Sequence, residues 1–323
     1  MISPSLPAAL TAALDAKLQG LSRSETAARA ETISKTYRDG GGSAGIATET
    51  DAMAYALARM PATYAAVAAC LTALQEARPD FAPHSLLDVG AGPGTASFAA
   101  AEAFSSLATF TLLDANPVLR LLALDLARAG GHELKYELGE ARALIAKAEP
   151  ADLVVASYLI GELSEADRRE LSEQLWSKTR DMLLIVEPGT PAGYARIIAT
   201  RAQLIAASAH VLAPCPHDAA CPLQSPDWCH FAQRLPRSRA HKQVKGAELP
   251  FEDEKFSYVA LARKPAAHRP ARVLARPHIS KVEVTAKLCT TDGLVRERIP
   301  HRDRRAYAAA RRWRWGDAAM EKR

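Results

Sequence analysis

The chain has 323 residues, of which 48% are hydrophobic and 24% charged, average values that exclude a disordered or fibrous protein. It is long enough for one large α/β domain with appendages, or for two domains. The formal net charge of +5 hides an asymmetry: Arg263 to Arg323 holds 17 Lys and Arg against 6 Asp and Glu, so everything before it is net acidic. A tail this basic favours a polyanion, in practice nucleic acid, with a solvated tail as the plain alternative.

No run of 18 apolar residues occurs, so no spanning helix and no membrane partner is expected. The first residues lack a basic segment leading into an apolar one. They alternate Asp15, Glu25 and Glu31 with Lys17, Arg23 and Arg29, which argues against a secretory or transit leader and makes the cytoplasm the expected location. Leu6, Leu10, Leu14 and Leu18 recur at steps of four, as on one face of a helix. Ser24-Glu25 and Thr48 to Asp51 offer N-caps, and Gly40-Gly41-Gly42 breaks the segment. Residues 1–80 are read as a helical N-terminal region.

From Ser85 the period changes. Short apolar runs at Ser85–Val89, Thr109–Leu113, Leu134–Leu138, Leu153–Ser157 and Met182–Val186 alternate with helix-like stretches at 94–106, 117–129, 140–148, 164–179 and 191–208. Fully apolar strands alternating with helices predict an α/β fold: a doubly wound, mostly parallel sheet covered on both faces. A late strand, Phe256–Ala262, closes this domain, taken as 81–264 with a cysteine-bearing insertion at 209–250. The basic extension 265–323 carries a hairpin signal, Val282–Leu288 and Leu294–Ile299 around Thr291-Asp292-Gly293, and then a basic helix over Arg304–Trp315.

The first strand runs into Asp88-Val89-Gly90-Ala91-Gly92-Pro93-Gly94-Thr95. Glycines permit the turn and a close backbone approach to a ligand, and the following helix N-terminus offers free N–H groups. The next strand ends at Leu113-Asp114, an acid placed to bind ribose hydroxyls. The third glycine follows the second after one residue, not two, and Asp88 precedes the loop. Both features resemble class I S-adenosylmethionine-dependent methyltransferases rather than dinucleotide enzymes. That likeness implies that Asp88, Gly90, Gly92, Gly94 and Asp114 form the cofactor site, with Gly90, Gly92 and Gly94 at the methionine end and Asp114 on the ribose. Glu140 is a candidate for the adenine edge or, equally, a solvated acid.

The methyl acceptor of such a fold lies at the end of the strand beginning near Asp152. The chain has Ser157-Tyr158-Leu159-Ile160-Gly161-Glu162-Leu163 there, without the Asn/Asp-Pro-Pro-aromatic segment or the nucleophilic cysteine of base methyltransferases. Tyr158 and Glu162 are the weak catalytic candidates, a packed aromatic and a helix N-terminal acid being the alternatives. Whether the protein is an enzyme is left open.

Cys70 sits at helical spacing among apolar residues and reads as a small buried hydrophobe. The others differ. Cys215, Cys221 and Cys229 fall within 15 residues of a proline-punctuated stretch, and Cys289 follows beside the hairpin turn. Exposed thiols oxidise, so such a set suits a soft metal centre, either tetrahedral zinc or an iron–sulfur cluster. Spacing does not choose between them.

Cys215, Cys221 and Trp228-Cys229-His230-Phe231, then Pro250-Phe251-Glu252-Asp253-Glu254-Lys255-Phe256-Ser257-Tyr258, Leu288-Cys289-Thr290 and Arg314-Trp315-Gly316-Asp317, resemble the small-ribosomal-subunit methyltransferase-like family over about residues 45–318. The resemblance implies a 4Fe-4S cluster on Cys215, Cys221, Cys229 and Cys289, S-adenosylmethionine as cofactor, and binding to small-subunit rRNA during ribosome assembly. It also includes bacterial relatives, in keeping with a bacterial cytoplasmic setting. The tract Arg234-Leu235-Pro236-Arg237-Ser238-Arg239-Ala240-His241-Lys242 would add phosphate contacts to those of the tail. The rival expectation is an active rRNA or protein methyltransferase with a structural zinc or iron–sulfur site. A small-molecule methyltransferase would leave the basic tail without a role.

Overall fold

The computed structural model describes residues 2–38, 41–246, 248–267 and 269–319. Gly40 of the glycine triplet and the last four residues of the basic tail lie outside them. α1 (Ala8–Leu18) buries Leu10 and Leu14, with Leu6 and Leu18 partly buried beside them, as their spacing requires. α2 (Arg23–Arg38) leads to α3 (Glu49–Ala58), whose start is a reciprocal cap: Thr48 accepts from the Asp51 amide, and the Asp51 carboxylate accepts from the Thr48 amide. That pairing satisfies donors which a helix start otherwise leaves open. α4 (Met60–Ala77) is almost wholly apolar and buried, Cys70 included. Among the described residues no single helix is long and apolar enough to cross a membrane. α3 and α4 together are, but they bend by 48° and are mostly buried.

The expected alternation then runs through β1 (Ser85–Val89), α5 (Thr95–Ala103), β2 (Thr109–Asp114), α6 (Pro117–Gly130), β3 (Lys135–Leu138), α7 (Ala141–Lys147), β4 (Ala151–Ser157), α8 (Glu165–Ser177), β5 (Thr179–Pro188) and α9 (Pro191–Ala206). Local chemistry sets the helix ends. Asn116 caps α6 by accepting from the Val118 and Leu119 amides, Pro117 fills its first turn, and left-handed Gly131 stops it. Successive strand residues point to opposite faces. Leu86, Leu112, Leu153, Val155 and Leu184 join one core with α4, α5 and α6. Leu87, Leu113, Val154, Leu183 and Ile185 join the other with α7, α8 and α9.

The cysteine-bearing stretch is more ordered than a loop. It contains β6 (His210–Ala213), β7 (Phe231–Pro236) and α10 (Arg239–Lys245), and runs into β8 (Phe251–Ala262). β8 starts five residues before the expected strand because its first half pairs antiparallel with β7, which sequence periodicity did not reveal. Its second half lies between β5 and β6, antiparallel to both. The described strands of this sheet run β3-β2-β1-β4-β5-β8-β6, with β7 beside β8. The remaining strands, β9 (Ala271–Val273), β10 (His278–Ile279), β11 (Glu283–Thr290), β12 (Gly293–Pro300) and β13 (Ala318–Ala319), form a second sheet around the expected hairpin. α11 (Arg304–Ala310) precedes β13 and ends before the expected Trp315. The chain turns there, so that Trp313 packs under the second sheet and Trp315 against the main core.

Candidate functional sites

Strand order reverses between β1 and β4, and the crevice beyond their C-terminal ends is where doubly wound sheets bind ligands. A cavity lies there, lined by Gly90, Gly92, Asp114, Ser157, Tyr158 and Glu162, with Ser43 at its rim. Gly90 has φ +71, and a Cβ on it would stand 2.8 Å from Leu159, so only glycine gives both the backbone angle and the close approach. The Gly92 amide donates to Asp114 Oδ2 at 2.8 Å, and the Asn116 amide donates to Oδ1 at 2.7 Å. Tyr136 Oη closes the same loop by donating to the Gly92 carbonyl at 2.8 Å. Burial raises the Asp114 carboxyl above its usual range, against these two amides.

Asp88, Glu140 and Gly94 lie outside the lining, and Tyr158 within it is held by a partner. Asp88 is fully buried behind the loop, where it accepts from the Ser97 amide at 3.1 Å and the Ser97 hydroxyl at 2.7 Å. Burial pushes it up to about 7. It fixes the glycine loop to α5 and does not line the cavity. Glu140 is exposed, caps α7 through the Ala143 amide and pairs with Arg142. Gly94 forms the left-handed cap of α5. Tyr158, at φ +57, donates from Oη to Glu254 Oε1 at 2.8 Å, and Arg59 adds its charge beside Glu254.

A strap not anticipated from sequence crosses the rim. Asn116 Nδ2 donates to the carbonyls of Ser43 at 3.0 Å and Ile46 at 2.9 Å. The Ser43 backbone amide faces the Glu162 carboxylate and favours its ionised form. Asn116-Pro117 was legible as a helix start, but nothing local signalled its second task.

A second cavity is lined by all four cysteines singled out above, together with Tyr194, Arg201, Arg272 and Tyr258. Three thiols come from the segment between β6 and β7, and Cys289 comes from β11, opposite Arg272 of β9. Tyr194 Oη donates to Cys221 Sγ at 3.1 Å, and His217 Nε2 lies 3.6 Å from Cys289 Sγ. Arg201 binds the His217 carbonyl at 2.7 Å, and Arg272 binds the Pro214 carbonyl at 3.1 Å and the Gly316 carbonyl at 2.9 Å. Burial, reinforced by the neighbouring cysteines, pushes Cys289 up to about 12 and Cys229 well above its ordinary value. Among the described residues no three His, Cys, Asp or Glu side chains gather tightly enough to hold a metal ion.

The two basic regions differ. Arg234 forms a bidentate pair with Asp253 and lies over the Phe251 ring, while Arg237 and Lys245 bind Glu252. Arg234 and Arg237 of the predicted phosphate-binding tract are therefore neutralised from within, whereas Arg239 and Lys242 are in no ion pair among the described residues. Arg302, Arg304, Arg305 and Arg312 of the tail are exposed, and none is in an ion pair among the described residues.

A glycine loop after β1, an acid ending β2 and an antiparallel β8 set between β5 and β6 define a class I methyltransferase-like protein. The chain belongs to the family described as mitochondrial small ribosomal subunit Rsm22, whose model matches residues 49–320. It is 31% identical over 297 residues to the human mitochondrial ribosome assembly protein METTL17, covering 84% of this chain and 62% of that protein. It is 26% identical over 329 residues to the Rsm22-cox11 tandem protein 2, mitochondrial, of Schizosaccharomyces pombe, covering 84% of this chain and 43% of that one. The chain thus spans less than two thirds of the length of these relatives. Magnesium protoporphyrin IX methyltransferase of Synechocystis with bound SAM is a distant structural neighbour, at TM-score 0.42 and 12% identity, covering 76% of this chain and 98% of that one.

One expectation is overturned. The family and these relatives are mitochondrial, against the bacterial cytoplasmic setting read from the sequence. That reading rested on the lack of a leader pattern in the first residues, on their alternating charges and on the bacterial relatives that the resemblance includes, and the mitochondrial relatives outweigh all three.

Proposed function

We propose that the chain is an S-adenosylmethionine-binding, iron–sulfur-carrying, methyltransferase-like protein that binds small-subunit rRNA and acts in small-subunit assembly, in the mitochondrial setting that its relatives' names give. The observation that carries this reading is the four-cysteine cavity, walled by the main sheet, the insertion and the basic second sheet together. Four thiols spread around an apolar cavity, not gathered on one point, suit a 4Fe-4S cluster with four separate iron corners better than a single zinc ion. Arg201 and Arg272 would offset part of the negative charge that four thiolates bring when such a cluster is bound. When bound, such a group cross-links the insertion to β11 and supplies a redox-active centre.

At the other cavity, the Gly90–Gly92 backbone and the start of α5 would receive the methionine end of the cofactor, and Asp114 its ribose. The exposed tail arginines would meet rRNA phosphates. An assembly role is favoured over methyl transfer because the Tyr158 hydroxyl is held by Glu254 and no acceptor-clamping motif follows β4. Anaerobically purified chain should be brown and contain iron and acid-labile sulfide. Replacing the four cysteines by serine should remove the colour and weaken binding to small-subunit rRNA. A colourless, zinc-loaded chain would overturn the cluster, and unaltered rRNA affinity in the serine variant would overturn the coupling.

A further inference from the structure

The cavity at the end of β1 has an unbalanced lining. Among its described residues two are carboxylates, Asp114 and Glu162, and none is Lys, Arg or His. Asp114 has both oxygens occupied by backbone amides, from Gly92 and Asn116. Glu162 has one amide facing it, that of Ser43 in the strap, which favours its ionised form. The fit between Glu162 and the strap is close, since a Cβ on Gly42 would lie 2.2 Å from Glu162 Oε2. The carboxylate and the strap therefore move together or not at all.

The other charges around Glu162 do not neutralise it. Asp114 faces it from the end of β2 and Glu187 from the end of β5, and both raise its proton affinity beyond the effect of burial. Arg196 of α9 is engaged by Glu187 at 2.8 Å. Arg168 of α8 donates to the carbonyls of Ile160 and Leu163, on either side of Glu162. Burial first, then the charges of Asp114 and Glu187, push Glu162 up to about 7, although the residue is exposed. Two carboxylates with no cation among the described lining residues suit a cationic ligand.

Resting on the cofactor reading above, we propose that Glu162 reads the charge of the bound cofactor: it is the counter-ion of the sulfonium form and, through the Ser43 amide, the latch that closes residues 41–46 over the pocket. S-adenosylmethionine carries a net positive charge, and S-adenosylhomocysteine, lacking the methyl group, carries none. The cationic form holds Glu162 ionised and the strap closed, and any proton on Glu162 passes to the buffer when it binds. The demethylated form leaves the latch free to protonate and release.

The test is calorimetry on the full chain with S-adenosylmethionine, S-adenosylhomocysteine and sinefungin, whose amine restores the positive charge. The unaltered chain should prefer both cations about fivefold. S-adenosylmethionine should bind roughly three- to fivefold more tightly at pH 7 than at pH 6, with proton release that scales with buffer ionisation heat. Glu162→Gln, which keeps size and an acceptor oxygen, should abolish the preference and flatten the pH profile. Gly42→Ala, which displaces the carboxylate without removing its charge, should weaken both. Equal preference and an equal pH slope in Glu162→Gln would overturn the latch while leaving the cofactor reading intact. Failure of the unaltered chain to bind S-adenosylmethionine would instead overturn the cofactor reading itself.

Discussion

Cys289 and Arg272 are register partners across the antiparallel β11–β9 pair, so the fourth thiol is positioned by strand pairing, not by a loop. Arg272 is buried, and its guanidinium reaches from that pair to the Pro214 carbonyl, next to Cys215, and to the Gly316 carbonyl.

Arg272→Lys keeps the charge but cannot fork to two carbonyls. Losing one charge-assisted bond in a buried site should lower stability by about 2–3 kcal/mol, read as a fall in the midpoint of urea unfolding. An unchanged midpoint would show that the second sheet docks without this tie.

Asn116→Ala removes the α6 cap and both bonds to the strap carbonyls. The cap contributes about 1 kcal/mol and each neutral bond about 0.5–1.5 kcal/mol. A loss of about 2–4 kcal/mol is expected, with faster proteolysis within residues 41–46. Loss of stability without faster cleavage there would confine Asn116 to capping.

Asp88 links stability to pH. Its folded value of about 7 lies above its ordinary 3.8 because it is buried, so between those values the native state holds a proton that the unfolded chain gives up. This contribution to stability therefore falls as pH rises through that window, and the cost is complete above it. Asp88→Asn keeps an acceptor for Ser97 and removes the titration. The melting temperature of the variant should gain on that of the unaltered chain between pH 4.5 and 7.5, whereas a constant offset would contradict the assignment.

Replacing Arg302, Arg304, Arg305 and Arg312 by Gln should reduce the slope of log affinity for small-subunit rRNA against log salt by about 3, since each phosphate contact contributes roughly 0.7–0.9. The pair Arg234→Gln and Arg237→Gln should leave that slope unchanged and lower the melting temperature instead, because both arginines are held by acids of β8. The reverse pattern would move the RNA contact to the insertion.

What could be read from the sequence was local. The strands β1 to β5 and the glycine loop declared themselves because apolar runs, turn glycines and a trailing acid lie within a few residues of one another. The cysteines stood out because thiols are poor surface residues. β6 and β7 were not legible: one is four residues long at the end of a helix, and the other mixes buried Phe231 and Leu235 with a glutamine, an arginine and a proline. Their strand character comes from β8, later in the chain. For the same reason the tract around Arg234 looked free, since its partners Glu252 and Asp253 reach it only through strand pairing. Asn116 and Ser43 meet across 73 residues, a contact no window of sequence contains.

β8 enters the main sheet between two strands that both precede it in the chain. During synthesis β6 therefore emerges with no strand to pair with until residue 262 has been made. β1, β2 and β4, with the crevice at their ends, need nothing beyond β5 to align. The thiol cavity needs every residue up to Cys289. A nascent or prematurely ended chain can thus hold the first cavity and lack the second, so the four-cysteine cavity doubles as a mark that translation of the chain has reached the first strand of its hairpin.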